Sequence, residues 1–251
     1  IMNDIYYPSV RCAGLACGTD GKPDKYLWCK NIRNSDFLTV CIGKGDTEPL
    51  LQLKYPEKKL TVNTDQLKDN LYQLVSEERK LENVNIPLSL KDGYICGFTG
   101  NREESEDFVK ALVVQMTSLY SYDELKLIFI YNDNEADKWD YAGWLPHVWN
   151  DNNTFRYIAS DSQGVKELSV QLEKEISDRL EEKECTLPYV LLITADKELT
   201  EQMTPVSLIL KNYKNIRFSM FTLFDMRNYI DSEIIFDISD NGSACMYKRG
   251  S

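Results

Sequence analysis

The chain is short of positive charge. It carries 29 Lys and Arg against 40 Asp and Glu in 251 residues, a formal net charge of −11. A nucleic-acid surface needs an excess or a stripe of cations, so no nucleic-acid partner is expected. Long apolar runs are missing too. No stretch approaches the roughly 18 apolar residues that cross a bilayer, and no secretory signal opens the chain. No membrane insertion of this segment is expected, and the chain reads as soluble. Histidine occurs once, at position 147, and no cysteine pair has C-x-x-C spacing. Without paired ligands, no metal site is expected. The cysteines at 12, 17, 29, 41, 96, 185 and 245 are odd in number and scattered. Disulfide scaffolds are short and even-numbered, so these read as reduced thiols. Cys96 and Cys185 stand in or beside apolar runs and read as small hydrophobes.

What is present is a globular composition, 43% apolar and 27% charged, long enough for a sizeable core. There is no internal repeat. Residues 1–62 look rich in strands and turns. Tyr26-Leu-Trp-Cys29 and Phe37-Leu-Thr-Val-Cys-Ile42 read as strands, with turns at Gly18-Thr-Asp-Gly21, Asn34-Ser-Asp36 and Gly43-Lys-Gly45. Leu67, Leu71, Leu74 and Val75 predict a helix over 65–82, broken by Asn85-Ile-Pro-Leu88. A domain boundary is placed there. Residues 1–89 form a β-rich N-terminal subdomain plus linking helix, and residues 90–251 an α/β domain.

Beyond residue 90, strands and helices alternate. Gly93-Tyr-Ile-Cys-Gly-Phe98 is an apolar run entering a glycine turn, and a broad apolar face predicts a helix over 102–119. Leu125 to Tyr131, Phe155 to Ile158, Tyr189 to Thr194 and Ile216 to Thr222 read as strands. Val165, Leu168, Leu172, Ile176 and Leu180 mark a helix over 162–183, and another is predicted over 198–211. Ile234-Ile-Phe236 and Ala244-Cys-Met-Tyr247 suggest a terminal hairpin. The alternation predicts βαβ units and a mostly parallel sheet flanked by helices, an α/β fold.

In such a fold, the first strand–turn–helix is the natural phosphate site, because a helix N-terminus presents free N–H groups and partial positive charge. A working loop reads G-x-x-x-x-G-K-[ST]. Here the stretch is Gly97-Phe-Thr-Gly-Asn-Arg-Glu-Glu104. Aligned on Gly97, Arg102 stands for the second glycine, Glu103 for the lysine and Glu104 for the hydroxyl. A carboxylate about 4 Å from a phosphate charge costs roughly 4 kcal/mol at an effective dielectric near 20. Gly97, Thr99, Gly100, Asn101 and Arg102 therefore read as a degenerate phosphate loop, expected to be empty. No cofactor is expected. The strand Tyr189–Ile193 ends in Thr194-Ala195 where a metal-holding acid would stand, and Asp196 beyond it reads as a cap for the next helix.

Trp139-Asp-Tyr-Ala-Gly-Trp-Leu-Pro-His-Val-Trp149 holds three of the four tryptophans and the single histidine. No nucleophile motif accompanies His147, so it reads as a residue hydrogen-bonded to its own turn. The aromatic loop, with Trp139, Trp144, His147 and Trp149, is also a candidate partner-contact surface.

Phe37-Leu-Thr-Val-Cys-Ile-Gly-Lys-Gly45, Ile86-Pro-Leu-Ser-Leu90, Gly97-Phe-Thr-Gly100 and Trp139 to His147 occur in this order. In these residues the chain resembles, from about 35 to 240, the type VII (ESX/Ess) secretion ATPases, called EssC in Gram-positive bacteria and EccC in mycobacteria, relatives of FtsK/SpoIIIE translocases. The resemblance implies a P-loop-NTPase-like (RecA/FtsK-like) form of that α/β fold, and the segment between the membrane anchor and the active ATPase domains, at the cytoplasmic face of the bacterial cell membrane. It also implies partners. They are other domains of the same ATPase, other membrane subunits of the system and, through the whole machine, WXG-type secreted proteins. Three readings compete. One is a non-catalytic, ATPase-like linking module with no enzyme activity of its own. The second is an atypical nucleotide-binding ATPase domain using Arg102. The third is a protein-binding module that uses residues 139–149.

Overall fold

A computed structural model describes residues 27–47, 67, 70, 72–73, 80–91, 94–181, 188–224 and 232–248. Two strands come first, β1 (Thr39–Thr47) and β2 (Leu81–Ser89), paired antiparallel as a separate two-stranded sheet. The main sheet is built from β3 (Ile95–Gly100), β4 (Leu125–Ile130), β5 (Ile158–Ala159), β6 (Tyr189–Thr194), β7 (Phe218–Thr222), β8 (Ile234–Ile238) and β9 (Ala244–Lys248). Its order is β5-β4-β6-β7-β3-β8-β9. All neighbours run parallel except the terminal β8–β9 hairpin.

The central strands explain this arrangement. Leu125 to Ile130 and Tyr189 to Thr194 are buried at every position. Successive side chains of a strand point to opposite faces, so a continuous apolar run needs cover on both. Leu125, Leu127 and Phe129 join one core, and Ile128 and Ile130 join the other. Helix α1 (Arg102–Leu119) covers the first face through Val109, Leu112, Val113 and Met116. Phe37, Leu38, Val40, Leu88 and Leu90, in and beside the β1–β2 pair, belong to that same core. After the short helix α2 (Ala136–Trp139), helix α3 (Ser162–Glu181) covers the second face. There Val165, Leu168, Leu172 and Ile176 pack with Ile209 and Ile216.

Several expectations are corrected. Gly43-Lys-Gly45 is not a turn but part of β1, where register shifts between Cys41 and Lys44 and between Gly45 and Thr47 mark irregular pairing. Gly43, with φ 139, suits that irregularity. Asn85 to Leu88 lie within β2, and Pro87 faces Cys41 across the pair. Residues 27–30 form no strand; Trp28 has φ 54, and its indole N–H donates to the Thr117 carbonyl at 2.9 Å. Most of the helix expected over 65–82 lies outside the described residues, although Leu67, Asn70, Tyr72 and Gln73 are helical and Leu67 is exposed. The Gly18–Gly21 turn and Cys185 also lie outside the described residues. The strand expected at 155–158 shrinks to Ile158–Ala159, and Leu180 leaves the buried stripe of α3. The helix expected over 198–211 is two helices, α4 (Lys197–Gln202) and α5 (Val206–Ile216), with Pro205 at the break.

One glycine sets how closely β3 and β8 approach. Gly100 has φ +92, and a Cβ there would sit 2.1 Å from the Ile238 carbonyl oxygen. Replacing Gly100 with Ala combines backbone strain with a steric clash. We expect a loss of about 2–4 kcal/mol in stability, read as a lower urea midpoint. An unchanged midpoint would contradict the close approach.

Candidate functional site

The carboxyl ends of β3, β4, β6 and β7 converge on a cleft of about 420 Å³. In an open α/β sheet this edge is where ligands bind. Thr99 and Gly100 line it from β3, Asn132 and Glu135 from beyond β4, Ala195 and Asp196 from beyond β6, and Leu223 and Phe224 from beyond β7. Arg102 enters it from the first residue of α1.

The expected glycine turn is absent. β3 keeps its pairing with β8 through Gly100, α1 begins at Arg102, and only Asn101 separates them. Gly97 and Thr99 are strand residues. A Cβ on Gly97 would meet the Ser232 hydroxyl at 3.0 Å, so close packing accounts for this glycine. Thr99 is buried and donates to the Phe236 carbonyl at 3.4 Å. Asn101 accepts from the Glu104 amide at 3.0 Å and so caps α1. Its side-chain amide donates to Asp240 at 2.8 Å, and its backbone N–H donates to Ile238 at 2.8 Å. Glu103 and Glu104 stand in the first turn, where carboxylates complement the helix dipole.

Arg102 is the centre of the cleft. Its Nε donates to Glu106 at 2.6 Å, and one terminal nitrogen reaches Glu135 at 3.0 Å and the Ala195 carbonyl at 3.1 Å. The other terminal nitrogen donates to the Leu223 carbonyl. The guanidinium therefore ties the start of α1 to the ends of β6 and β7 and to the segment after β4. Glu106 has a side chain only 2% exposed, and Lys138 approaches it at 3.1 Å. A buried carboxylate needs such partners. In turn, the bond to Glu106 raises the Lys138 pKa above the ordinary lysine value. Two cations and two carboxylates close the network. The Arg102–Glu106 spacing of four on one helix was legible in the sequence. Glu135, Lys138 and the two carbonyls come from distant segments and carried no such signal.

Asp196 caps α4, accepting from the Leu199 amide at 2.8 Å, as its position predicts. Its other oxygen accepts from Asn132 at 3.3 Å. Thr194 is buried against Thr200.

The aromatic loop divides between core and surface. Trp139 is buried and stacks on Tyr131, with ring centres 6.3 Å apart. His147 is 1% exposed, and its Nε2 lies 2.9 Å from the Tyr120 carbonyl. That corrects the expected bond to its own turn, because the partner ends α1. Neither Trp139 nor His147 reaches the surface a partner would touch. Trp149 is half-buried, with the Arg156 guanidinium 4.4 Å above its ring. Trp144 is 84% exposed, on the 3₁₀ turn Asp140–Trp144.

No protein-family model matches the chain. It is 22% identical over 178 residues to the ESX secretion system protein EccC of Geobacillus thermodenitrificans, covering 69% of this chain and 12% of that protein. It is 24% identical over 155 residues to the type VII secretion system protein EssC of Staphylococcus aureus, covering 62% of this chain and 10% of that protein. The chain thus spans about a tenth of the length of the curated relatives it matches. The solved EssC fragment (ATPases 2 and 3) from Geobacillus thermodenitrificans matches with a TM-score of 0.56 at 11% identity, over 89% of this chain and 45% of that one. The chain is thus similar in sequence to EccC and EssC proteins, and its α/β fold with a seven-stranded, mostly parallel sheet matches that of the EssC fragment. Among the described residues, no helix is long and apolar enough to cross a membrane.

Burial pulls the His147 pKa down to about 4, with the Tyr120 carbonyl opposing and Lys126 assisting. Its Nδ1 is buried without a hydrogen-bond partner, so the second proton of the charged form has no acceptor. The unfolded chain protonates this ring near pH 6.5, before the folded chain does. Its contribution is therefore fully present above pH 6.5 and lost as the pH falls toward 4. Between about pH 7.5 and pH 5 we expect a stability loss of about 2 kcal/mol from this group. Urea unfolding of the chain and of His147→Gln at both pH values reads it. Equal pH dependence in the two would contradict it.

Proposed function

We propose that this chain is a non-catalytic, ATPase-like domain of a type VII secretion motor. The observation that carries this reading is the cleft's internal occupant. The Arg102 guanidinium, held by Glu106, Glu135 and two strand-end carbonyls, stands where a nucleotide's phosphates would be bound. With one residue between β3 and α1, there is no loop of backbone N–H groups to wrap a phosphate. Gly97, Thr99, Gly100, Asn101 and Arg102 are on this reading the vestige of a phosphate loop, and the domain uses no cofactor.

The division at residue 89 separates a small β-rich subdomain from the ATPase-like part. The chain would connect a membrane anchor to active ATPase domains at the cytoplasmic face of the cell membrane. Its partners would be those domains, other membrane subunits and, through the whole machine, WXG-type secreted proteins. Trp144 is the contact we assign to it. An exposed tryptophan suits the centre of a protein interface.

The purified chain should release no phosphate from ATP above background and show no magnesium-dependent ATP binding, by turnover assay and calorimetry. Magnesium-dependent turnover that disappears in Arg102→Ala would overturn the reading in favour of an atypical ATPase. Trp144→Ala should leave the melting temperature within about 1 °C, because an exposed side chain adds little to stability. In the full-length parent protein, the same change should weaken co-purification of the other secretion subunits at least severalfold. Unaltered co-purification would remove the contact assignment.

A further inference from the structure

We propose that a second cavity, at the opposite end of the main sheet, binds a small phosphate-bearing anion. It measures about 410 Å³ and is lined by Ile32, Phe37, Lys91, Tyr189, Lys214 and Arg217. Tyr189 opens β6, Arg217 immediately precedes β7, and Lys91 follows β2. The cavity therefore lies at the amino-terminal strand ends, away from the Arg102 cleft.

Three features converge on an anion. The chain has eleven more acidic than basic residues, yet the described lining holds three cations and no carboxylate. The cations come from separate places in the chain. Lys214 is accounted for otherwise: it bonds Glu233 at 2.8 Å and lies in the last turn of α5, where a cation complements the dipole. Lys91 and Arg217 have no such account, for neither side chain makes an ion pair among the described residues.

The backbone at Arg217 adds the third feature. It ends α5 in the left-handed conformation, φ 56 and ψ 53, with its N–H donating to the Tyr213 carbonyl. Glycine is the usual residue in that conformation, because a Cβ is crowded there. An arginine held in it at a cavity wall has a side chain whose use offsets the backbone strain.

The chemistry favours phosphate over a single carboxylate. The planar guanidinium pairs with two oxygens of either anion, but the Lys91 ammonium adds a second positive charge that a multiply charged phosphate meets and a single carboxylate does not. Phe37, Ile32 and the Tyr189 ring supply an apolar wall, so the ligand is a small organic phosphate with an apolar portion. A cavity of this size is that of a small-molecule site.

The test is calorimetric titration of the whole chain with sodium tripolyphosphate, without magnesium. One saturable site is expected, weakening as salt rises from about 50 to about 200 mM, as ion pairs do. Arg217→Gly should cut the affinity about tenfold or more while leaving the melting temperature unchanged or raised, because glycine suits that backbone. Lys91→Ala should also weaken binding. Neither residue lines the Arg102 cleft, so these losses separate this cavity from it. Absence of saturable binding, or full affinity in Arg217→Gly, would overturn the proposal. A fall in melting temperature for Arg217→Gly would assign Arg217 a structural role instead. Citrate binding as tightly as tripolyphosphate would overturn the choice of phosphate.

Discussion

A parallel sheet buried on both faces is the constraint from which the rest of this molecule follows. Strands β4 and β6 have no solvent-facing side. Each therefore needs helices above and below, and the chain must cross over the sheet between successive parallel strands. Those crossings bring the carboxyl ends of β3, β4, β6 and β7 to one edge, where their connecting segments meet. The cleft exists because of that topology, whether or not anything enters it.

In this chain, its own arginine has entered it. The interaction solves two problems at once. Glu106 is carried into the interior by α1 and needs compensating cations, which Arg102 and Lys138 provide. The carbonyls of Ala195 and Leu223, at the ends of β6 and β7, need donors, and the same guanidinium supplies them. A hydrogen-bonded network of this kind holds four segments in one arrangement.

The order of helices and strands beyond residue 90 was legible because its period signals were strong. The 102–119 helix and the 189–194 strand coincide with the structure at both ends. The N-terminal part was less legible. Gly43, Gly45 and Pro87 are turn formers in isolation, yet all three sit in the paired strands β1 and β2. Pairing and burial against the core overrode their local preference. The 198–211 segment misled in the reverse sense, since an apolar pattern continued across Pro205 while the helix did not.

The sequence by itself determined the α/β class, the absence of a G-x-x-x-x-G-K-[ST] pattern at 97–104, and the acidic balance. Each is a property of residue identity or of short-range spacing. Only the tertiary structure decided that the expected glycine turn is a continuous strand, because β8 holds Gly100 against Ile238. It alone separated buried Trp139 and His147 from exposed Trp144, which the same aromatic run presents side by side. It alone placed Arg102 among Glu135, Ala195 and Leu223, and Arg217 beside Lys91. These meetings join residues tens to more than a hundred positions apart, and no local pattern encodes contacts made by the way the strands are ordered in the sheet.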